Sequence, residues 1–201
     1  LFRSGSTPRI KGLCHVERAC EDANAYVQYQ IECPRCGAEH PLTWGAKELP
    51  YGFKWVKGQP HTVRHVCPHC RESITQGDYL PGGWPLVGTW VCRKTGMRYG
   101  ADRIWRTATG QPCRPPRTLG VHVWAAYSPQ RTWVSIVDEF EKAHRALQAG
   151  DVGPMTSFTN ETLGETWEVK GESTDEHVLQ DTGQPHAALA RVADRADDVP
   201  D

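Results

Sequence analysis

Several features that define common protein classes are missing from this sequence. No apolar run approaches the roughly 20 residues that a helix needs to cross a bilayer, so we expect no membrane partner. The glycine-rich loops that cradle phosphates, G-x-x-x-x-G-K-[ST] and G-x-G-x-x-G, are absent, as are the hydrolase motifs H-E-x-x-H and G-x-S-x-G. No acidic cluster follows a strand in the way that a two-metal nuclease requires. Taken alone, the sequence therefore reveals no complete active site.

Cysteine carries the main positive signal. Four of the eight cysteines lie in two C-P-x-C pairs, Cys33 with Cys36 and Cys67 with Cys70. Each pair forms a tight turn, called a knuckle below, that aims two thiolates at one point. Four thiolates match the tetrahedral coordination that zinc prefers, and a closed shell of four sulfurs leaves no position for water or substrate. The spacing therefore predicts one structural Zn2+ site that stabilises the fold and performs no chemistry.

Disulfide bonds are the alternative use of an even number of cysteines. The chain opens Leu1-Phe2-Arg3-Ser4, without the apolar segment of a secretory signal. A chain of 201 residues is also long enough to bury a core without covalent cross-links. Both points favour zinc. The remaining cysteines lack the paired spacing and are expected to be free thiols; they are Cys14, Cys20, Cys92 and Cys113.

Charge is divided unevenly along the chain. Residues 1–120 hold 17 Lys or Arg and 9 Asp or Glu, whereas residues 121–201 hold 6 and 15. A basic half with a zinc module predicts contact with a polyanion, and double-stranded DNA is the first candidate. Arg64 and Arg71, beside the second knuckle, are the candidate DNA contacts. The alternative is that these basic residues are ordinary solvated surface.

The spacing of apolar residues predicts a mixed fold. Alternation over 26–32 predicts a strand. The apolar residues between the knuckles favour short antiparallel strands, with room for two hairpins. Thr132 is predicted to cap an amphipathic helix that runs to about residue 147 and packs on a core. The outer face of this helix carries Asp138, Glu139, Glu141 and Lys142, which we expect to be solvated. The prediction is an α+β fold, with a zinc-ribbon-like β module followed by a strand and amphipathic helices.

Several short motifs occur in an order that is typical of one family. They are Gly5-Ser6-Thr7-Pro8, the two C-P-x-C pairs, Ala126-Tyr127-Ser128-Pro129 before Thr132-Trp133, and the segment from Phe158 to Trp167. In this order and spacing they resemble the large terminase subunit of lambda-like tailed phages, the GpA family. One departure is Arg71, which stands where a glycine usually follows the second knuckle.

The resemblance implies a function for the parent protein. Members of this family are DNA-packaging motors, in which an N-terminal ATPase domain drives translocation and a C-terminal nuclease domain cuts concatemeric DNA. Ser6 and Thr7 match the family's coupling motif near the terminal phosphate of ATP, so they are the candidate catalytic residues. ATP and Mg2+ are implied only for the full-length parent. The implied partners are double-stranded DNA, the small terminase subunit, the portal protein and further copies of the parent, in the cytoplasm of a bacterial host cell.

The same resemblance implies that the chain is an internal piece of a larger multidomain α/β protein, between the ATPase and nuclease domains. The chain begins with Leu1 and lacks both Walker motifs and nuclease carboxylates, as expected of such a piece. The predicted division is the end of the ATPase domain (1–24), a zinc-ribbon module (25–80), an irregular Gly/Pro/Arg-rich region (81–117), a strand plus helices that complete the ATPase or linker region (118–170), and an acidic linker towards a nuclease domain (171–201). The alternative hypothesis is a stand-alone zinc-ribbon protein that binds nucleic acid without catalysis.

Overall fold

The computed structural model describes residues 6–45 and 49–168, which form a mixed α+β fold as predicted. In chain order, its elements are α1 (His15–Asp22), β1 (Ala25–Glu32), β2 (Glu39–His40), β3 (Gly52–Val56), β4 (Gln59–Val66), β5 (Ser73–Ile74), α2 (Gln76–Tyr79), β6 (Gly88–Cys92), β7 (Arg98–Tyr99), β8 (Trp105–Arg106), β9 (Leu119–His122), α3 (Trp133–Gln148) and α4 (Gly153–Ser157), which continues into a π-helical turn (Phe158–Thr162). Among these helices, none is both long and apolar enough to cross a bilayer. The predicted acidic linker, 171–201, lies outside the described residues.

Strand β1 organises the larger of two sheets. This sheet has the order β2-β1-β6-β7-β8, and β9 pairs with β1 in parallel. The predicted alternation in β1 is confirmed, because Val27 and Ile31 are fully buried while Tyr29 is partly covered. The smaller sheet has the order β3-β4-β5. One hairpin, β3-β4, lies in the described residues between the knuckles, where the sequence leaves room for two; β2 pairs with β1 instead.

Helix α3 covers the smaller sheet and completes the main core. Its apolar face is buried as predicted, with Trp133 and Phe140 completely inaccessible. The Phe140 ring lies 5.7 Å from Trp55 of β3, and the Trp133 ring lies 4.8 Å from Phe53. The helix begins at the predicted cap, because Thr132 Oγ1 accepts a hydrogen bond of 3.0 Å from the Ser135 amide. The helical spacing of the apolar residues therefore predicts both this helix and its buried face.

The expectation that Glu141 is solvated is wrong. Its side chain is buried, and Oε1 accepts hydrogen bonds from Trp55 Nε1 at 3.0 Å and from the Gly58 amide at 2.8 Å. The turn between β3 and β4 covers this side of α3. Periodicity along one helix cannot reveal that a distant turn covers its polar edge.

We expect Glu141→Ala to lower the free energy of unfolding by about 2–3 kcal/mol, because the buried Trp55 Nε1 and the partly buried Gly58 amide lose their charged acceptor. Asp138→Ala is the matched control, since within residues 6–45 and 49–168 Asp138 has a single ion pair, an exposed one with Lys142 on the same helix. That control should change stability by less than about 0.5 kcal/mol. Urea unfolding of the two variants checks this, and equal losses would contradict the buried role of Glu141.

The expectation of an irregular segment over 81–117 is wrong for its central part. Strands β6, β7 and β8 lie there and extend the larger sheet outward from β1. Strands β7 and β8 have two residues each, which is too short for an alternating pattern to appear in a sequence. They form because β6 pairs with β1 over five residues and provides an edge on which they can add.

Candidate metal centre

The two knuckles belong to different sheets, and each connects two strands of its own sheet. The first joins β1 to β2 in the larger sheet, and the second joins β4 to β5 in the smaller sheet. In each knuckle, the amide of the first cysteine donates to the carbonyl five residues later, and the amide four residues later donates back to that cysteine's carbonyl. These distances are 3.0 and 2.8 Å at Cys33, and 2.9 and 3.2 Å at Cys67. The sequence motif therefore forms the same turn twice.

Both turns need a left-handed residue directly after the second cysteine. Gly37 supplies it in the first knuckle, with φ of 73°. Arg71 supplies it in the second, with φ of 64°, where a side chain is strained. The Arg71 guanidinium lies over the Tyr51 ring, 5.6 Å from its centroid, and this contact offsets part of that strain.

The four predicted ligands come together at one point. The sulfurs of Cys33, Cys36, Cys67 and Cys70 all lie within 4.8 Å of one another. Two pairs of sulfurs span the two knuckles at 4.0 Å: Cys33 with Cys70, and Cys36 with Cys67. A tetrahedral site with Zn–S bonds of about 2.3 Å has S···S edges of about 3.8 Å, so a small contraction accommodates the ion. None of the eight cysteines is in a disulfide.

The chemistry of this donor set suits a soft divalent metal. Burial raises the pKa of the Cys67 thiol well above its usual range, so its thiolate needs a nearby cation. The His69 amide already points at Cys67 Sγ, at 3.4 Å. Four sulfurs with no oxygen or nitrogen ligand favour zinc or iron over calcium or magnesium. Metal binding at this cluster must release protons, and it leaves no open coordination position.

Two buried histidines beside the knuckles were not identified from the sequence. The His40 and His65 rings stack with centroids 5.2 Å apart and planes 3° from parallel. Burial lowers the pKa of His65 to about 3, so this ring is neutral near pH 7. Its Nε2 accepts a hydrogen bond of 3.1 Å from the Thr43 amide. The only sequence signal is their position in strands that lead to or from a knuckle, which is too weak to distinguish them from other histidines.

The structure places Ser6 and Thr7 at a different site. Both are exposed, and they line an open cavity of about 520 Å³ that none of the four clustered cysteines lines. Two buried polar atoms of residues that line this cavity, His122 Nδ1 and Asn160 Oδ1, have no hydrogen-bond partner within the described residues.

Comparison with known proteins identifies the family. A model of the ATPase domain of the phage terminase large subunit gpA matches residues 1–90, and a model of the gpA endonuclease domain matches residues 118–196. The chain is 36% identical to the large terminase subunit of Escherichia phage lambda over 187 residues, and 38% identical to that of Enterobacteria phage P21 over 178 residues. The chain belongs to the GpA family of phage terminase large subunits.

The relation to these GpA proteins covers most of the chain but a small part of each relative. The matches include 92% and 88% of this chain, yet only 28% of the lambda subunit and 26% of the P21 subunit. No solved structure matches the chain.

The regions of the chain that match the two GpA family models belong to one folded unit. Strand β1, in the ATPase match, pairs with β9, in the endonuclease match. Likewise β3 of the first match packs against α3 of the second. The sequence assigned residues 118–170 to the ATPase or linker region, whereas the endonuclease match begins at residue 118. Within the described residues, the two halves share a sheet and a core; the division into domains stays a prediction.

Proposed function

We propose that this chain is a segment of a phage DNA-packaging terminase in which a structural zinc ion couples two parts of the motor. The observation that supports this most strongly is the four-cysteine cluster, whose knuckles belong to different sheets. The larger sheet incorporates β9, and the smaller sheet supports α3. An ion held by both knuckles therefore fixes the two places where the endonuclease-matching half packs on the ATPase-matching half.

The proposed role of the metal is mechanical. Cys33 and Cys36 would hold it from one side, and Cys67 and Cys70 from the other. When bound, the ion supplies a cross-link rather than a Lewis acid, because four thiolates fill its coordination shell. Arg35 and Asp78 form an ion pair of 3.2 Å that links the first knuckle to α2. A rigid junction of this kind suits a protein that must transmit force between two activities.

The full-length protein is proposed to translocate DNA with ATP and Mg2+ and to cut concatemeric DNA. Its proposed partners are double-stranded DNA, the small terminase subunit, the portal protein and other copies of itself, in the cytoplasm of a bacterial host cell. Extending the reading frame in both directions tests this proposal. A phosphate-binding loop before Leu1 and a carboxylate cluster after Asp201 support it. A frame that ends without either feature would instead support a stand-alone zinc-ribbon protein.

In the full-length protein, we expect Thr7→Ala to reduce ATP turnover by roughly tenfold or more, because one hydrogen bond to developing charge contributes a factor of at least that order. ATP binding should change much less. Thr7 is exposed and lines the open cavity, so another part of the full-length protein can reach it. Thr109→Ala, in an exposed loop, is the matched control. Equal turnover by Thr7→Ala and wild type would remove Ser6 and Thr7 from the mechanism.

A further inference from the structure

The basic excess of the first half is concentrated in a short part of it. Residues 88–117 contain seven Lys or Arg and a single acidic residue, Asp102, although the whole chain has a net charge of −1. The other residues of 1–120 hold ten basic and eight acidic side chains, which is close to balance. Six of the seven cations in 88–117 are arginine, the side chain best suited to bidentate contact with phosphate.

This basic segment has a fixed support. Trp90, Tyr99 and Trp105 are paired across β6, β7 and β8, so they share one face of the sheet. The Tyr99 and Trp105 rings lie 5.1 Å apart, and Trp90 and Trp105 pack against a small buried cluster that includes Val27 of β1. The apolar face therefore anchors the outer strands to the middle of the larger sheet.

The turn between β6 and β7 is a third knuckle without a second cysteine. The Cys92 amide donates to the Met97 carbonyl at 2.7 Å, and the Gly96 amide donates back to the Cys92 carbonyl at 2.9 Å, as in the two cysteine knuckles. Thr95 stands where those knuckles have their second cysteine. This turn is therefore ordered by its own hydrogen bonds rather than by a metal.

The cations of this turn are held in place. The Arg93 guanidinium lies 5.4 Å from the centroid of the Tyr26 ring. Lys94 Nζ donates to the Ala23 carbonyl at 3.3 Å. Neither contact neutralises the charge, so both side chains present a positive charge from fixed positions at this end of the sheet.

Three further arginines are exposed and unpaired. Arg98 and Arg106 form ion pairs with Glu39 and Asp102. By contrast, the side chains of three others have no acidic or hydrogen-bonding partner within the described residues; these are Arg103, Arg114 and Arg117. Arg103 also has φ of 61°, a left-handed conformation in which glycine is favoured and arginine is strained.

We propose that the basic turns after β6, β7 and β8, which carry Arg93, Lys94, Arg103, Arg114 and Arg117, bind the phosphates of duplex DNA. The inference rests on the proposed function, because it assigns the DNA contact of the packaging motor to a particular face. It places that contact on the outer strands of the larger sheet instead of at Arg64 and Arg71 beside the second knuckle. Contact with backbone phosphates carries no sequence information, which suits a protein that moves along DNA.

The test is the salt dependence of duplex binding by the 201-residue chain, measured by the fluorescence anisotropy of a labelled 30-base-pair probe. We expect the variant R103Q/R114Q/R117Q to reduce the slope of log K against log salt by about 2–3, since each lost phosphate contact removes about 0.9. The matched control R64Q/R71Q/R145Q removes the same charge elsewhere and should leave the slope unchanged. R103G is a second probe, because glycine relieves the left-handed strain: it should keep or raise stability while it weakens binding.

The outcomes separate this inference from the proposed bracing role of zinc. Equal slopes for wild type and R103Q/R114Q/R117Q, or a loss confined to R64Q/R71Q/R145Q, would overturn the assigned surface. A zinc-loaded wild-type chain that fails to bind duplex DNA would also overturn it and would leave the bracing role intact. If polyglutamate of equal charge displaces the duplex at lower concentration than unlabelled duplex does, the surface fits an acidic protein and the DNA assignment is wrong. If R103Q/R114Q/R117Q unfolds, R103G and R114Q measured singly carry the test.

Discussion

Cys67→Ser is expected to abolish metal binding and to lower the free energy of unfolding by roughly 4 kcal/mol or more, a large share of the 5–15 kcal/mol that stabilises a typical domain. The cause is the position of Cys67, which is 1% exposed and belongs to the sulfur cluster that brings a knuckle of the smaller sheet against one of the larger. Without the ion, the raised pKa of this thiol favours its neutral form, and the two knuckles are no longer joined. We expect the β4-β5 end of the smaller sheet to separate first.

Cys113→Ser provides the matched control for this prediction. Cys113 is partly buried and lies outside the cluster, so its loss should change stability by about 1 kcal/mol or less. Thermal melting with and without a chelator measures both effects. Wild type and Cys113→Ser should melt at a lower temperature when the chelator is present, whereas Cys67→Ser should not respond. Equal melting temperatures for all three proteins, with no chelator effect, would exclude a stabilising metal.

Trp133→Ala should be the most disruptive substitution in the core, with a loss of about 3–5 kcal/mol. Trp133 is completely buried, and its ring lies 4.8 Å from Phe53 and 5.8 Å from Tyr79. Its Nε1 donates to the Ala126 carbonyl at 3.1 Å. Truncation therefore opens a cavity between α3 and the smaller sheet, and it leaves a buried acceptor without this donor.

Trp84→Ala is the control for the core substitution, because Trp84 is 77% exposed. It removes the same atoms from a position with little packing, so stability should change by less than about 0.5 kcal/mol. Urea unfolding curves of both variants make the comparison. If Trp133→Ala costs no more than Trp84→Ala, α3 does not pack on the smaller sheet as described.

Features encoded by local spacing could be predicted from the sequence. The C-P-x-C pairs specify a turn whose hydrogen bonds lie within six residues. The knuckles that begin at Cys33 and Cys67 could therefore be predicted without a known fold. Helix α3 repeats its apolar residues at helical spacing, and Thr132 precedes it as a cap, so its start and buried face were predictable as well. In both cases, the physical cause lies within one short stretch of chain.

Features that depend on distant partners could not be predicted in this way. Strands β7 and β8 exist because β6 pairs with β1, and neither has a pattern of its own. Glu141 is buried because the turn at Gly58 covers it. The knuckles were expected in one zinc-ribbon-like module, yet they lie in two sheets, and that arrangement depends on strand pairing across the whole described chain.

Metal analysis of the wild-type chain, purified without chelator, tests the central claim most directly. Elemental analysis should give one zinc per chain, and X-ray absorption should give four sulfur neighbours at about 2.3 Å. That result places the ion among Cys33, Cys36, Cys67 and Cys70, the only group of three or more potential ligands that converges within the described residues. Correctly folded protein with almost no metal, or zinc bound by nitrogen or oxygen, would contradict the structural four-cysteine site.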